Sequence, residues 1–281
     1  MNYLNRYTPG TFVRELCLIV LAVIWWVPFY LLLVVALKPA AEGIRSPFAP
    51  PSQLDLDNFS VAWQGSSGIG LGLSLFNSLV ITAGSVLALI SVGSISAYVI
   101  ARQKARVGSA LYLAFVLGII LPTQLGIVPI YVALRQIGLL GTHAGAILLY
   151  TGLLLPLSVF LYTGFIAALP RDYEDAAFID GASRWQAFIR IVFPLLRGIT
   201  ATVAVLTSLI VWNDFFTQLV FFGGGVNNRT LPVAIYNFVG EYETQWNVVF
   251  AAVAIALAPV LALYLFAQRN LIKGFTGGID K

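Results

Sequence analysis

An all-α, polytopic membrane protein is the fold class this sequence predicts, with six transmembrane helices and a helix–turn–helix between the fourth and the fifth. Three observations predict it. Only 10% of the 281 residues are charged and 59% are hydrophobic, whereas a soluble domain carries about 25% charged residues. Long stretches contain no Asp, Glu, Lys or Arg, and a membrane span needs about 20 mostly apolar residues. The basic residues also sort into alternate links, as an even number of spans requires.

The spans lie near 16–37, 74–101, 108–133, 145–167, 199–222 and 246–267, and together they make residues 1–281 a single transmembrane domain. Barrel strands would be shorter, about 10 residues each, with strict alternation. These runs are long and apolar all round, which predicts helices. The first run is too long for the core of a signal peptide and has no clear small-residue cleavage site, so it reads as a retained helix.

Arg6 and Arg14 precede the first span, and Arg102, Lys104 and Arg106 follow the second. Arg171, Arg184, Arg190 and Arg197 follow the fourth, and Arg269, Lys273 and Lys281 follow the sixth. Lys38, Arg45, Arg135 and Arg229 fall on the other side. The positive-inside rule then places both termini in the cytoplasm. The net charge of +4 is explained by this topology and calls for no nucleic-acid partner.

The segment from Lys38 to Leu73 is rich in Pro and Gly and reads as irregular chain against the outer face. Gly141 and Gly145 form a small-xxx-small pair that could let helices approach closely. Asn58-Phe-Ser and Asn228-Arg-Thr match the glycosylation sequon by chance. Cys17 and His143 are the only residues of their types, so no intramolecular disulfide and no His-based metal cluster can form.

The link at 169–198 is the unusual part: LPRDYEDAAFIDGASRWQAFIRIVFPLLRG. It is too long for a turn. Pro170 suits the start of a helix, and Asp172, Glu174 and Asp175 complement the dipole of its first turns. Asp180-Gly181 breaks that helix, and Ser183 can cap a second. In the second helix Trp185, Phe188, Ile189 and Val192 recur as one apolar face. A helix resting on lipid is the plain alternative, but such helices favour Lys and Arg on their polar face. Acids beside the small residues Ala176, Ala177, Gly181 and Ala182 suit docking into a groove on a protein.

Asp175-Ala-Ala-Phe-Ile-Asp180-Gly-Ala182, followed by Phe188, Ile191 and Pro194-Leu195, resembles the EAA loop of binding-protein-dependent ABC importers. The likeness is closest to the carbohydrate permeases of the maltose-transporter type. The sequence departs from the pattern at Asp175, where Glu is usual, and at Gly198, where proline is common. Phe76-Asn-Ser-Leu-Val-Ile-Thr82, Ala97-Tyr-Val-Ile-Ala-Arg102, Leu121-Pro-Thr-Gln124 and Trp212-Asn-Asp214 are also similar to that family. So are Gly138-Leu-Leu-Gly-Thr142 and the tail from Gln268 to Gly278.

The resemblance implies a permease subunit of an ATP-driven importer, forming half of the pathway for a sugar or sugar-like solute in the bacterial or archaeal plasma membrane (a cell inner membrane). It implies a second related permease, two cytoplasmic ATPase subunits and an external solute-binding protein as partners. By position, Glu174, Asp175, Ala176, Ala177, Asp180, Gly181 and Ala182 would couple to the ATPases, and Gly274, Thr276 and Gly277 in the tail would touch them. The sequence holds no phosphate loop of the G-x-x-x-x-G-K-S/T type. The chain is therefore expected to be non-enzymatic and to carry no cofactor, ATP and Mg belonging to the partner.

Polar groups inside spans mark pathways or helix contacts. Asp214 lies about 15 residues into the fifth span, roughly 22 Å at about 1.5 Å per residue. It stands with Trp212, Asn213, Asn77 and Gln124 as a pathway or gate candidate. Pro122, Pro129 and Pro156 predict kinks. A secondary transporter would show repeats and coupling-ion ligands, and a membrane enzyme would need clustered His, Asp, Glu or Cys. Neither is found.

Overall fold

In the computed structural model, residues 9–65, 70–103, 105–222, 228–239 and 245–276 are described, and every regular element among them is helical. Two compact units emerge from the chain: Met1–Leu71 with Ile235–Ala258, and Gly72–Ala234 with Pro259–Lys281.

In the first unit, α1 (Pro9–Ala36) is a 28-residue helix whose side chains from Phe12 to Tyr30 are largely exposed, as a lipid-facing span requires. The segment after it is not the irregular chain the Pro and Gly content predicts. It forms α2 (Ala40–Arg45) and α3 (Asp57–Gln64) and is tied together by three side chains. Lys38 is fully buried and donates from Nζ to the carbonyls of Ser46 and Ala49, both at 2.6 Å. Glu42 accepts from the Ser52 hydroxyl at 2.6 Å and the Ser52 amide at 2.9 Å. Asn58 donates to the carbonyls of Ala36 and Lys38 at 2.9 Å and accepts from Asn247 at 2.5 Å. Composition hides this order, because polar side chains replace the missing ladder bonds. The unit is completed by the first part of α14 (Trp246–Thr276).

The second unit contains α4 (Leu71–Arg102), α5 (Ala105–Ile120), α6 (Ile127–Gln136) and α7 (His143–Ala168). The third predicted span, 108–133, is not straight: helix Arg106–Ile120 and the turn-plus-helix Thr123–Gln136 meet at 92°. Pro122 is the cause. It has no N–H to give and disfavours helical geometry at Leu121, while its own ψ is 119°. Pro129 falls in the first turn of α6, where an amide would be unbonded anyway, and Pro156 is absorbed within α7.

Gly141 and Gly145 do not bring two helices together. Gly141 has φ +74° in the turn before α7, and a Cβ at Gly145 would lie 2.0 Å from the carbonyl of Leu139 in the same turn. The close helix crossing is elsewhere, between α4 and α7. A Cβ on Gly93 would lie 2.1 Å from Ser158 Oγ and 2.9 Å from its Cβ. Ser158 donates across this crossing to the Leu89 carbonyl at 3.0 Å.

The fifth predicted span, 199–222, is also divided. Its helices are α11 (Arg197–Asn213) and α12 (Phe216–Phe222), with Asp214 extended at φ −72°, ψ 117°. The Asp214 carboxylate accepts from the Thr217 amide at 3.1 Å. A short acidic side chain that captures an amide three residues on starts a new helix in preference to continuing the old one. A short helix, α13 (Leu231–Tyr236), precedes α14.

Candidate coupling site

The 169–198 link contains several short helical elements, and local chemistry accounts for the start and end of each. The first helix, α8 (Asp172–Ile179), carries three acids in its first turn, where the N-terminal dipole favours them. It closes with two bonds that a left-handed residue makes possible: Gly181 N–H to Phe178 O at 3.1 Å and Ala182 N–H to Ala177 O at 2.9 Å. Gly181 has φ +81°, a conformation that costs a side-chain-bearing residue about 1–2 kcal/mol. Ser183 then forms a capping box with Gln186: the Gln186 amide donates to Ser183 Oγ, and the Ser183 amide donates to Gln186 Oε1.

The second helix begins as α9 (Arg184–Ala187) and widens into a π-turn over Phe188–Val192, where the Phe193 amide reaches Phe188 O, five residues back. It ends in the single turn α10 (Phe193–Leu195). Pro194 supplies no amide, so the register slips in front of it. Helix Arg184–Leu195 meets α11 at 75°. The apolar face differs from the predicted one. Phe188 and Val192 are buried, joined by Ala187 and Leu196, but Trp185 and Ile189 are exposed. Phe188 belongs to a buried cluster with Ala97 and Ile100 of α4, Tyr162 and Ile166 of α7 and Val203 of α11. Its ring stands 5.0 Å from that of Tyr98.

The seven residues of the EAA resemblance divide between two faces. Asp175, Ala176, Asp180 and Gly181 are exposed and Ala182 is half-buried. Ile179, between them, is 87% exposed. Glu174 and Ala177 instead turn inward. Glu174 Oε1 accepts from Arg102 Nε at 2.7 Å and pairs with Nη2 at 2.6 Å, and Oε2 accepts from the Tyr98 hydroxyl at 2.8 Å. Arg102 also donates to the carbonyls of Ile166 and Leu169, at 3.3 and 3.4 Å. Removing one partner of a buried pair costs about 3–5 kcal/mol, because the other charge stays behind unpaired. Glu174 is thus an internal anchor. Tyr98 and Arg102 were not singled out as site residues from the sequence, although their spacing of four places both on one face of α4.

In the tail, Gly274 and Thr276 lie on the backbone of α14, and Gly277 lies outside the described residues.

The pathway candidates do not form one group. Gln124 and Asp214 line the same cavity, about 210 Å³, with Thr123, Thr217 and Phe216. Asp214 Oδ2 accepts from Tyr150 at 3.0 Å, and Tyr150 in turn accepts from Gln218 at 2.9 Å. Trp212 lines a separate apolar cavity of about 420 Å³ with Thr82, Val86 and Pro259. Asn213 donates to the Leu209 carbonyl one turn earlier in its own helix. Asn77 donates to the Arg229 carbonyl at 3.0 Å and meets His143 Nε2 at 2.8 Å, a helix-tying role. Tyr150 and Gln218 escaped the sequence reading because nothing in their local pattern marks a buried partner.

Comparison with known proteins identifies the family and the fold. The sequence profile of the family described as "Binding-protein-dependent transport system inner membrane component" matches residues 89–277. The chain is 37% identical over 257 residues to the melibiose/raffinose/stachyose import permease protein MelC of Bacillus subtilis, covering 91% of each. It is 34% identical over 263 residues to AmyC of Thermoanaerobacterium thermosulfurigenes, a probable starch degradation products transport system permease protein, covering 94% of each. It is 31% identical to the multiple sugar-binding transport system permease protein MsmG of Streptococcus mutans, covering 100% of this chain and 98% of that one. The fold matches a chain in the crystal structure of a bacterial ABC transporter that imports the acidic polysaccharide alginate. There the TM-score is 0.82 at 18% identity, covering 94% of this chain and 98% of that one. The chain belongs to the family of binding-protein-dependent transport system inner membrane components, and is a non-enzymatic permease subunit of an ABC importer.

Proposed function

We propose that this permease forms half of the translocation pathway for a sugar or sugar-like solute, paired with a second related permease. Two cytoplasmic ATPases supply the energy, with ATP and Mg held on those subunits, and an external binding protein delivers the solute. The relatives' import of melibiose, starch products and other sugars supports the substrate class. The chain would cross the membrane six times with both termini in the cytoplasm. Three long apolar helices, the bent pair Arg106–Ile120 with Thr123–Gln136, the successive helices α11 and α12, and the apolar helix Trp246–Ala262 are compatible with that count.

One observation carries the coupling role: α8 ends in a surface of Asp175, Ala176, Ile179, Asp180 and Gly181 that is exposed although Ile179 is apolar. An exposed aliphatic side chain flanked by small residues and carboxylates fits a groove on another protein. The ATPase can shift the membrane equilibrium only by contacts that differ between its two states, and this surface would make them. The cavity shared by Gln124 and Asp214 is the pathway candidate, since a carboxylate, an amide and two threonine hydroxyls suit a polyol.

The test is purification of tagged protein from its native membrane in mild detergent, with and without Ala176→Trp. Ala176 is an exposed helical position, so the fold tolerates the larger side chain while the groove does not. An ATPase should accompany the parent chain and be lost from the variant. Solute uptake into vesicles should require internal ATP. Uptake driven by a proton or sodium gradient alone would refute the reading.

A further inference from the structure

We infer that Arg102 is a positioning residue for energy coupling: its guanidinium ties the docking helix α8 to α4 and α7, so that displacement of α8 moves those helices. The inference rests on the permease reading above and adds a residue that the EAA loop does not contain.

The geometry is that of a clamp. Arg102 sits in the last turn of α4. Two of its nitrogens hold Glu174 Oε1, and the two terminal nitrogens reach the carbonyls of Ile166, in α7, and Leu169, just past its end. Tyr98, one turn earlier, holds the other oxygen of Glu174. Both carboxylate oxygens of the α8 anchor are therefore bonded from α4.

The rest of the α8 attachment is weak. Ala177 is the one other buried residue of this eight-residue helix. A cavity of about 590 Å³ opens beside the ion pair, lined by Val99, Phe178, Arg184 and Trp185 among others. Across a gap, dispersion contacts are lost and transmit little force. The charged clamp is then the stiff connection. It also needs arginine: a planar fork can bond a carboxylate and two carbonyls at fixed angles, which a lysine ammonium on a flexible stem cannot reproduce.

The test uses the whole importer, with its binding protein and ATPases, reconstituted in vesicles. Solute taken up per ATP hydrolysed and the amount of ATPase co-purified are both measured for Arg102→Met, Arg102→Lys and Glu174→Gln. We expect each variant to retain its ATPase. We expect uptake per ATP to fall for Arg102→Met by a factor in the 5- to 150-fold range of ordinary coupling between sites, and by less for Arg102→Lys.

Uptake per ATP that is unchanged in Arg102→Met refutes the proposal. So does uptake that falls only in proportion to lost ATPase, because that marks a merely structural pair. If Arg102→Met does not accumulate, Glu174→Gln, which keeps the side-chain shape, decides by the same criteria. If none of the three accumulates, the pair is a folding element and the proposal fails. Absence of an ATPase from the parent complex would instead overturn the permease reading, and is visible before any variant is compared.

Discussion

Gly93→Ala should be one of the most damaging single-methyl changes in the chain. The added Cβ would lie 2.1 Å from Ser158 Oγ and 2.9 Å from Ser158 Cβ. The hydroxyl can rotate away, but Cβ is fixed to the backbone of α7, so the two helices must separate. Overpacking of this kind costs about 1–3 kcal/mol. Rotating the hydroxyl also gives up its bond to the Leu89 carbonyl, a class of interaction that averages about 0.6 kcal/mol between membrane helices. The sum, about 1.6–3.6 kcal/mol, shifts the folding equilibrium roughly 14- to 370-fold at about 1.4 kcal/mol per tenfold. The assay is the unfolding midpoint of purified protein in detergent, for the parent, Gly93→Ala and the double variant Gly93→Ala/Ser158→Gly. The double variant removes both clashing atoms, and the next atom, the carbonyl carbon of Ser158, is at an ordinary 3.8 Å. It should recover much of the loss. A Gly93→Ala protein as stable as the parent, or a double variant no better than the single, would refute this account of the crossing.

Ser183→Ala removes the side-chain half of the capping box and should cost about 1 kcal/mol locally, seen as faster hydrogen exchange at the Gln186 amide. Asn58→Leu orphans the buried carbonyls of Ala36 and Lys38 and the Asn247 amide. At about 1–3 kcal/mol for an unsatisfied buried group, it should lower the unfolding temperature far more than Asn213→Leu, whose amide bonds only within its own exposed helix turn. Glu42 titrates below its ordinary value because the Ser52 hydroxyl and then the Ser52 amide bond its carboxylate, with Lys38 adding attraction. A carboxyl with a depressed folded pKa stabilises the fold above its unfolded value and loses that contribution as pH falls through the folded one. An NMR titration of the Glu42 carboxyl should therefore show a low midpoint, and Ser52→Ala should raise it.

The departures between sequence and structure share one origin. The start and stop signals of the 169–198 link were legible because they are local: acids in a first turn, Gly181 at a position that needs φ above zero, Ser183 three residues before Gln186. Its inner face was not, because burial there is set by contact with distant helices, Phe188 and Val192 packing with Ala97, Tyr162 and Val203. Glu174 and Asp175 look alike in sequence, adjacent acids in a small-residue helix. They differ only because a 100° step turns one toward Arg102 and the other outward. Likewise 108–133 and 199–222 are apolar enough to read as single spans, and hydropathy does not record where Pro122 or Asp214 ends a helix.

The membrane setting, the helical class and the permease family are readable from the residues alone. Those follow from sums and short patterns: sparse charge, run length, the sorting of basic residues and the EAA-like motif. Which polar residues face one another emerges only in the folded chain. Folding joined Arg102 to Glu174, 72 positions apart, Tyr150 to Asp214 at 64, and Asn58 to Asn247 at 189. The physical reason is that apolar surroundings leave each polar group in need of a partner, while helix crossings, set by contacts such as Gly93 against Ser158, choose which partner it meets.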